Sequence, residues 1–245
     1  MDEYTEFLRA RRAEIIARMD AALRRSGRGW EGITLVAVSK TVDVDSVRDA
    51  IRCGYRVFGE NRPQELARKT GALAESGELA GVRFDMIGNL QTNKVNAVLG
   101  RAGLIHSIGS THLARAVSDR ARRRIESGEL AVPADVLLEV NVSGESTKAG
   151  YAPGELRREL DEVMELSGIR VRGLMTMAPR GDEDVARRTF AGLRALADEL
   201  AGSYPPGTFQ ELSCGMSEDF EVALEEGSTL IRLGRVVFDP AFALQ

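Results

Sequence analysis

The length, composition and charge of the chain favour one folded domain and exclude several classes of partner. Its 245 residues are 43% hydrophobic and 29% charged, and the 25 glycines and 7 prolines form no tract that would serve as a linker. A net charge of −4 gives no general attraction to nucleic acid or to anionic membranes. We therefore predict a single domain over residues 1–245, with no nucleic-acid and no membrane partner.

The first predicted element is an amphipathic helix over residues 4–25, in which apolar side chains recur at helical intervals: Phe7, Ile15, Ile16, Met19 and Leu23. This segment has no uninterrupted apolar run of the kind found in signal peptides and membrane spans. Cys53 and Cys214 are too few for a disulfide framework and lack metal-ligand spacing. We expect a cytoplasmic protein with reduced thiols.

Short β-rich runs then alternate with helical patterns. Strands are predicted at residues 34–39, 56–58, 82–87, 104–107, 135–140, 171–175, 209–212 and 229–233, and helices at 44–53, 63–74, 93–99, 111–126, 153–167, 182–200 and 217–225. Eight such units in about 250 residues fit a closed parallel barrel better than an open doubly wound sheet. The predicted fold is α/β, a single (β/α)8 TIM barrel with an extra N-terminal helix, whose strand ends would converge on one face.

Lys40 directly follows the first predicted strand. The apolar run before it would place the ammonium group at the mouth of the barrel, and a partly desolvated lysine amine is a suitable nucleophile toward an aldehyde. A lysine at a strand end that simply faces water is the ordinary alternative. Lys40 alone therefore does not define a function.

The turns after the seventh and eighth strands are suited to a phosphate group, which TIM barrels often bind there. Ser217 is predicted to cap the helix that follows, leaving backbone amides for an anion. Gly234 allows close backbone approach, and Arg232 and Arg235 supply positive charge. A simple cap and a simple turn would explain each feature alone, but together with Lys40 they point to a phosphorylated aldehyde.

Other polar positions are less specific. Asn61 ends the second strand, and residues 87–94 are rich in amide and basic side chains, for which a helix cap and a capped turn are the structural alternatives. His106 ends the fourth strand, where we expect a buried structural role. Two histidines, with no Walker loop and no GxGxxG motif, give no support to a metal site, a catalytic triad or a common nucleotide site.

Eight short motifs resemble those of the pyridoxal 5′-phosphate (PLP) homeostasis proteins, single-domain relatives of the bacterial alanine racemase barrel. They are spread along nearly the whole chain: AVSK at 37–40, FGENR at 58–62, IGNLQTNK at 87–94, NVSGE at 141–145, KAG at 148–150, RGLMTM at 172–177, GMS at 215–217 and IRLG at 231–234. The resemblance implies that Lys40 carries PLP as a Schiff base. It also implies that Ser217, Gly234 and the amide of Arg235 hold the phosphate.

Further implied roles concern the cofactor ring. Arg232 would face the pyridine nitrogen, and Asn61 and Met216 would line the cofactor. A cation at that nitrogen disfavours protonation of the ring and weakens PLP as an electron sink. The racemase relatives add a second domain with a catalytic tyrosine, for which 245 residues leave no room. The resemblance therefore implies PLP homeostasis or cofactor carriage without catalytic turnover, with PLP-requiring apoenzymes as partners and a monomer or weak homodimer as the assembly.

Four positions near the implied site depart from the family pattern: Asp85, Cys214, Arg235 and Asp239. The family commonly has histidine at position 85, methionine at 214, a small hydroxyl residue at 235 and glycine at 239. Arg235 would either strengthen the phosphate clamp or crowd it. Two alternatives follow: a PLP-dependent amino-acid enzyme, such as a racemase or eliminase, and a decayed barrel that binds no cofactor because Arg235 fills the phosphate position.

Overall fold

Eight parallel strands close into a barrel in the computed structural model, which describes residues 2–145 and 147–244. Each strand pairs with the next in the chain, and the eighth pairs with the first. The strands are β1 Thr34–Val38, β2 Val57–Glu60, β3 Arg83–Met86, β4 Leu104–Ile108, β5 Ala134–Glu139, β6 Ile169–Met175, β7 Glu211–Ser213 and β8 Leu230–Leu233. The predicted (β/α)8 TIM barrel is confirmed.

The helices follow the strands in alternation, after an N-terminal helix that precedes β1. They are α1 Glu3–Arg25, α2 Val44–Arg52, α3 Pro63–Glu75, α4 Val95–Val98, α5 Thr111–Glu126, α6 Pro153–Met164, α7 Glu183–Ala201, α8 Phe220–Glu225 and α9 Arg235–Phe238, with a 3₁₀ turn at Thr92–Lys94 before α4. None of the helices in the described part of the chain has the length and apolar character needed to span a bilayer.

Local sequence explains where several helices begin. The carboxylates of Asp2, Asp43 and Asp182 each accept a hydrogen bond from the backbone N–H three residues later, at 2.8, 2.9 and 3.0 Å, and Ser110 does the same at 3.2 Å. Pro63 occupies the first turn of α3, where its missing N–H costs nothing. These caps set the ends of the helices that surround the barrel.

The extra helix α1 is the predicted amphipathic element. Leu8, Ile15, Met19 and Leu23 are buried on one face, and the helix packs against α8, α2 and α9. On its polar side, Arg25 pairs with Glu225 of α8 at 2.6 Å. α1 thus covers the outer helices on the side of the barrel where the last and first units meet.

The interior of the barrel changes from apolar to polar along the strands. Leu104, Leu137 and Leu230 belong to one buried apolar cluster inside the barrel. Two residues further along the same strands stand the buried polar side chains of His106, Glu139 and Arg232. Because residues two apart on a strand share a face, these polar groups lie one step nearer the carboxyl end. Buried charge is therefore concentrated below the mouth where the candidate residues lie.

Candidate functional site

The residues singled out from sequence lie on four strands that are consecutive around the barrel. Lys40 follows β1, Asn61 follows β2, Met216 and Ser217 follow β7, and Arg232, Gly234 and Arg235 lie in or directly after β8. Strands β7, β8, β1 and β2 are neighbours in the closed sheet. Since the carboxyl ends of parallel strands meet at one rim, the fold brings the whole predicted set to one side of the mouth.

Lys40 lies in the turn after β1, and its side chain is exposed. The expectation that burial partly desolvates this lysine is wrong, because the turn carries it beyond the last buried residue of the strand, Ser39. The backbone here is held firmly: Ser39 N–H donates to Gly59 O at 3.0 Å, and Val42 N–H donates to Ser39 O at 3.1 Å. The amine is thus presented to solvent from a fixed turn.

A buried ion pair fastens the residue before Lys40. Lys69 of α3 and Glu60 of β2 are both fully buried, with Nζ 2.6 Å from the carboxylate oxygen Oε1. Lys69 Nζ also donates to Ser39 O at 2.6 Å, and Ser39 Oγ donates to the same Oε1 at 2.6 Å. The pair ties the end of β1 to β2 and α3. Sequence reasoning missed this pair, although Lys69 interrupts the apolar face of α3 at helical spacing between Leu66 and Leu73.

Asn61 is half-buried at the end of β2, and its side-chain amide has no hydrogen-bond partner within residues 2–145 and 147–244. The loop after β3 crosses directly over it. A Cβ on Gly88 would lie 2.3 Å from Asn61 O, so only glycine permits this approach. Gly88 O in turn accepts from Ser107 Oγ at 2.5 Å. The glycine of the 87–94 motif therefore sets the wall of the site beside Asn61.

The turn after β7 is built differently from the prediction. Ser217 does not cap the next helix, because α8 begins only at Phe220. Asp219 instead accepts a hydrogen bond from Met216 N–H at 2.6 Å, which closes a turn before the helix. Burial raises the pKa of the Asp219 carboxyl, and the hydrogen bond from Met216 opposes this shift. The predicted helix over residues 217–225 is thus three residues too long at its start.

Ser217 joins the two candidate phosphate turns. Its Oγ accepts a hydrogen bond from Val236 N–H at 3.3 Å, in the first turn of α9. Gly215 makes the sharp bend that precedes it, with φ of 93°, and a Cβ there would lie 2.6 Å from the Cβ of Ala223. The turns after β7 and β8 therefore form one connected surface, as the phosphate hypothesis requires.

Arg235 is held by an ion pair at the edge of the molecule's surface. Its guanidinium pairs with Glu218 and lies 5.0 Å from the centre of the Phe242 ring, and the side chain is 54% exposed. The guanidinium is thus engaged by Glu218 and Phe242, and its relation to a bound phosphate stays a prediction. Its backbone amide, at the start of α9, remains available for the implied role.

Arg232 is buried and crosses the interior of the barrel. One terminal nitrogen, Nη1, donates to Ser213 Oγ at 2.5 Å, and the other, Nη2, donates to Thr176 O at 3.1 Å. Burial lowers the pKa of Arg232, opposed by the nearby Cys214 thiol, Asp219 and Glu139. A guanidinium stays protonated throughout the physiological range, so Arg232 is a fixed positive charge inside the mouth.

Glu139, at the end of β5, is an acid that sequence reasoning missed. The residue is only 5% exposed, and its carboxylate has no hydrogen-bond or ion-pair partner within the described ranges. Burial raises the pKa of Glu139, and the charge of Arg232 opposes that shift. The only available signal was a charged residue within an apolar strand. Across the described chain, no group of His, Cys, Asp and Glu side chains is arranged to hold a metal ion.

His106 is fully buried, in agreement with the structural role expected for it. Its Nδ1 lies 2.9 Å from Ser213 Oγ, and its Nε2 lies 3.3 Å from Asp85 Oδ2. Burial lowers the pKa of His106, while the hydrogen bond to Asp85 opposes that shift. His106 and Asp85 thus connect to Arg232 through Ser213.

Comparison with known proteins agrees with this fold. The sequence profile of the family described as alanine racemase, N-terminal domain, matches residues 14–240. The pyridoxal phosphate homeostasis protein of Aquifex aeolicus (strain VF5) is 40% identical over 230 residues, which cover 93% of this chain and 96% of that protein. An unknown protein from Bifidobacterium adolescentis is 36% identical, with a TM-score of 0.88 and 97% of both chains covered. PipY of Synechococcus elongatus PCC7942, solved with PLP bound, is 33% identical, with a TM-score of 0.78 over 94% of this chain and 99% of that one.

The matched profile spans nearly all of this closed (β/α)8 barrel and places the chain in the class of alanine racemase N-terminal-domain barrels. Within this class, the Aquifex relative matches over 96% of its own length at 40% identity, which identifies the family. The chain belongs to the family of the pyridoxal phosphate homeostasis proteins.

Proposed function

We propose that this chain binds PLP through a Schiff base on Lys40 and serves PLP homeostasis or cofactor carriage. The observation that carries the proposal is the position of Lys40 directly after β1, the strand next to β8, at the rim that also holds the joined turns after β7 and β8. The name of the Aquifex relative and the PLP-bound structure of PipY support it. The amine of Lys40 would condense with an aldehyde and release one water, a reaction for which an exposed amine on a fixed turn is well placed.

The residues present fit PLP. Ser217 Oγ and the start of α9 offer hydroxyl and amide groups to a phosphate, and Gly234 leaves space beside them. Asn61 follows β2, and its side-chain amide has no hydrogen-bond partner among the described residues. Met216 directly precedes Ser217. When bound, PLP would supply an aldehyde and an electron-accepting ring. The Lys40 amine would anchor the aldehyde, and the Ser217 turn would anchor the phosphate. Arg232 would meet the ring nitrogen.

Arg232 favours holding the cofactor over using it. A fixed cation at a pyridine nitrogen disfavours protonation there, which reduces the capacity of the ring to accept electrons from a substrate. The guanidinium cannot move aside easily, because Ser213 and Thr176 both hold it. We therefore propose carriage of PLP to PLP-requiring apoenzymes, without catalytic turnover, by a single-domain cytoplasmic chain that is a monomer or weak homodimer. The free thiols Cys53 and Cys214 are compatible with that compartment.

Glu139 supports a second candidate, a PLP-dependent enzyme that acts on amino acids. An unpartnered buried carboxyl close to the mouth, with a raised pKa, could hold and return a proton. Exchange of the α-proton of amino acids with deuterated water, faster than with free PLP and lost in Glu139→Gln, would establish this activity. The pairing of Arg235 with Glu218 gives no support to the decayed barrel, in which that side chain would fill the phosphate position.

Borohydride reduction tests the proposed function. The purified protein is incubated with PLP, reduced and digested, and the pyridoxyl group is located by mass spectrometry. The chain has four lysines, Lys40, Lys69, Lys94 and Lys148, so the assignment is simple. We expect the adduct on Lys40 and its loss in Lys40→Arg, with Lys94→Arg as the matched control that keeps it. A protein that never carries the adduct on Lys40 contradicts the proposal.

A further inference from the structure

A continuous chain of polar side chains crosses the barrel interior beneath the mouth. Arg83 Nη2 lies 3.0 Å from Asp85 Oδ2, and Arg83 Nε lies 3.0 Å from Oδ1 of the same carboxylate. Asp85 then contacts His106, His106 contacts Ser213, and Ser213 contacts Arg232, at 3.3, 2.9 and 2.5 Å. The chain links β3, β4, β7 and β8, and all its members except Arg83 are buried.

The chemistry of these groups permits one direction for the hydrogen bonds. Asp85, ionised beside Arg83, can only accept, so the imidazole nitrogen that faces it, Nε2 of His106, must carry the proton. Nδ1 of a neutral ring is then a bare acceptor, and Ser213 O–H donates to it. The lone pairs of Ser213 Oγ are left for Arg232 Nη1–H. Each of the three contacts from Arg232 to Asp85 thus joins one donor to one acceptor.

The other proton arrangements of His106 conflict with its neighbours. With the proton on Nδ1 alone, the lone pair of Nε2 would face the carboxylate of Asp85, and the Ser213 O–H would have no acceptor in this chain of contacts. With both nitrogens protonated, a buried cation would stand between Arg83 and Arg232, the two cations that face this ring, with Asp85 as the one facing anion. Burial of the ring also disfavours its charged form.

We propose that Asp85 and His106 are positioning residues for Arg232: Asp85 selects the Nε2–H form of His106, which orients the Ser213 hydroxyl so that its oxygen receives the guanidinium. The consequence for a ligand rests on the proposed function, in which Arg232 meets the ring nitrogen of PLP. Because Thr176 O holds the second terminal nitrogen, the guanidinium keeps its place whether or not a ligand is present. The site is therefore organised before PLP arrives, which lowers the cost of ordering on binding.

Nuclear magnetic resonance of the imidazole nitrogens in the PLP-free protein tests the proposed hydrogen bonds between Asp85, His106 and Ser213 themselves. We expect His106 to remain neutral and in the Nε2–H form between about pH 5.5 and 8. Asp85→Asn should shift His106 toward the Nδ1–H form. The wild-type spectrum needs no variant to fold. A wild-type His106 that is in the Nδ1–H form, or that titrates near pH 6.5, overturns the proposal.

The dissociation constant of PLP tests the consequence for binding. We expect Asp85→Asn and Ser213→Ala each to raise it about tenfold, a loss typical of groups that orient a ligand-binding side chain, while borohydride still places the adduct on Lys40. Asp135→Asn is the matched control, since Asp135 also pairs with an arginine, Arg170, but near the amino-terminal ends of β5 and β6 and outside the chain of contacts from Asp85 to Arg232. Equal dissociation constants in Asp85→Asn and Asp135→Asn overturn the proposal. A wild-type protein that takes up no PLP instead refutes the proposed function. The nuclear magnetic resonance result then still tests the proposed hydrogen bonds of His106 with Asp85 and Ser213.

Discussion

Removal of the buried side chain of Lys69 should destabilise the protein more than removal of any exposed charged side chain. In Lys69→Met the carboxylate of Glu60 stays fully buried without its cation, and its second oxygen, Oε2, already lacks a hydrogen-bond partner. Ser39 O loses the shorter of its two hydrogen bonds at the same time and keeps the one from Val42 N–H. Breaking a buried pair in this way costs about 3–5 kcal/mol. For a chain of this size, that loss corresponds to a melting temperature lower by about 6–20 °C.

Urea and thermal unfolding, followed by circular dichroism, measure this loss. Lys94→Met is the control for removal of a less buried lysine and should change the free energy of unfolding by less than about 1 kcal/mol. The double variant Lys69→Met/Glu60→Leu should recover part of the loss, because no uncompensated charge then remains buried. A loss below about 1 kcal/mol in Lys69→Met would refute the view that this pair holds the end of β1.

Three further predictions concern the mouth of the barrel. Glu139→Gln should leave the melting temperature nearly unchanged at pH 4 and raise it at pH 8, because a carboxyl with a raised pKa costs stability as the pH rises above its ordinary value; a difference that does not depend on pH contradicts the assigned environment. Gly215→Ala should lower the free energy of unfolding in urea by about 1–3 kcal/mol, since φ is 93° and the new Cβ would press on Ala223; an unchanged midpoint would show that the turn can relax. Arg235→Ala should alter the dissociation constant of PLP by less than about twofold, because its exposed guanidinium pairs with Glu218; a loss of tenfold or more would place the side chain at the phosphate.

Much of the fold was predictable because its signals are local. The alternation of apolar strands with amphipathic helices follows directly from a parallel barrel covered by helices, and all eight strands were found near their observed positions. The error at α8 has a specific cause. A serine before an apolar run is a common helix cap, but the carboxylate of Asp219 takes the Met216 amide and forms a turn there instead.

The candidate site was predictable only where residues follow strands. Lys40 and Ser217 could be placed at one rim because each comes directly after a strand of the same sheet. Lys69 and Glu139 were missed because a single charged residue on an apolar face is only a weak sign of burial, and the elements that cover it are distant in the sequence. The outward turn of Arg235 was equally hidden, since it depends on Glu218 and on a ring near the C-terminus.

The fate of PLP added to the protein and then reduced with borohydride is the most direct measurement of whether this barrel holds the cofactor. Peptide mapping should find one pyridoxyl group per chain, on Lys40, and the visible absorbance of the unreduced protein should disappear in Lys40→Arg. An adduct spread over Lys94 and Lys148, or an unchanged absorbance in Lys40→Arg, would contradict the assignment of the mouth of this barrel as a PLP site.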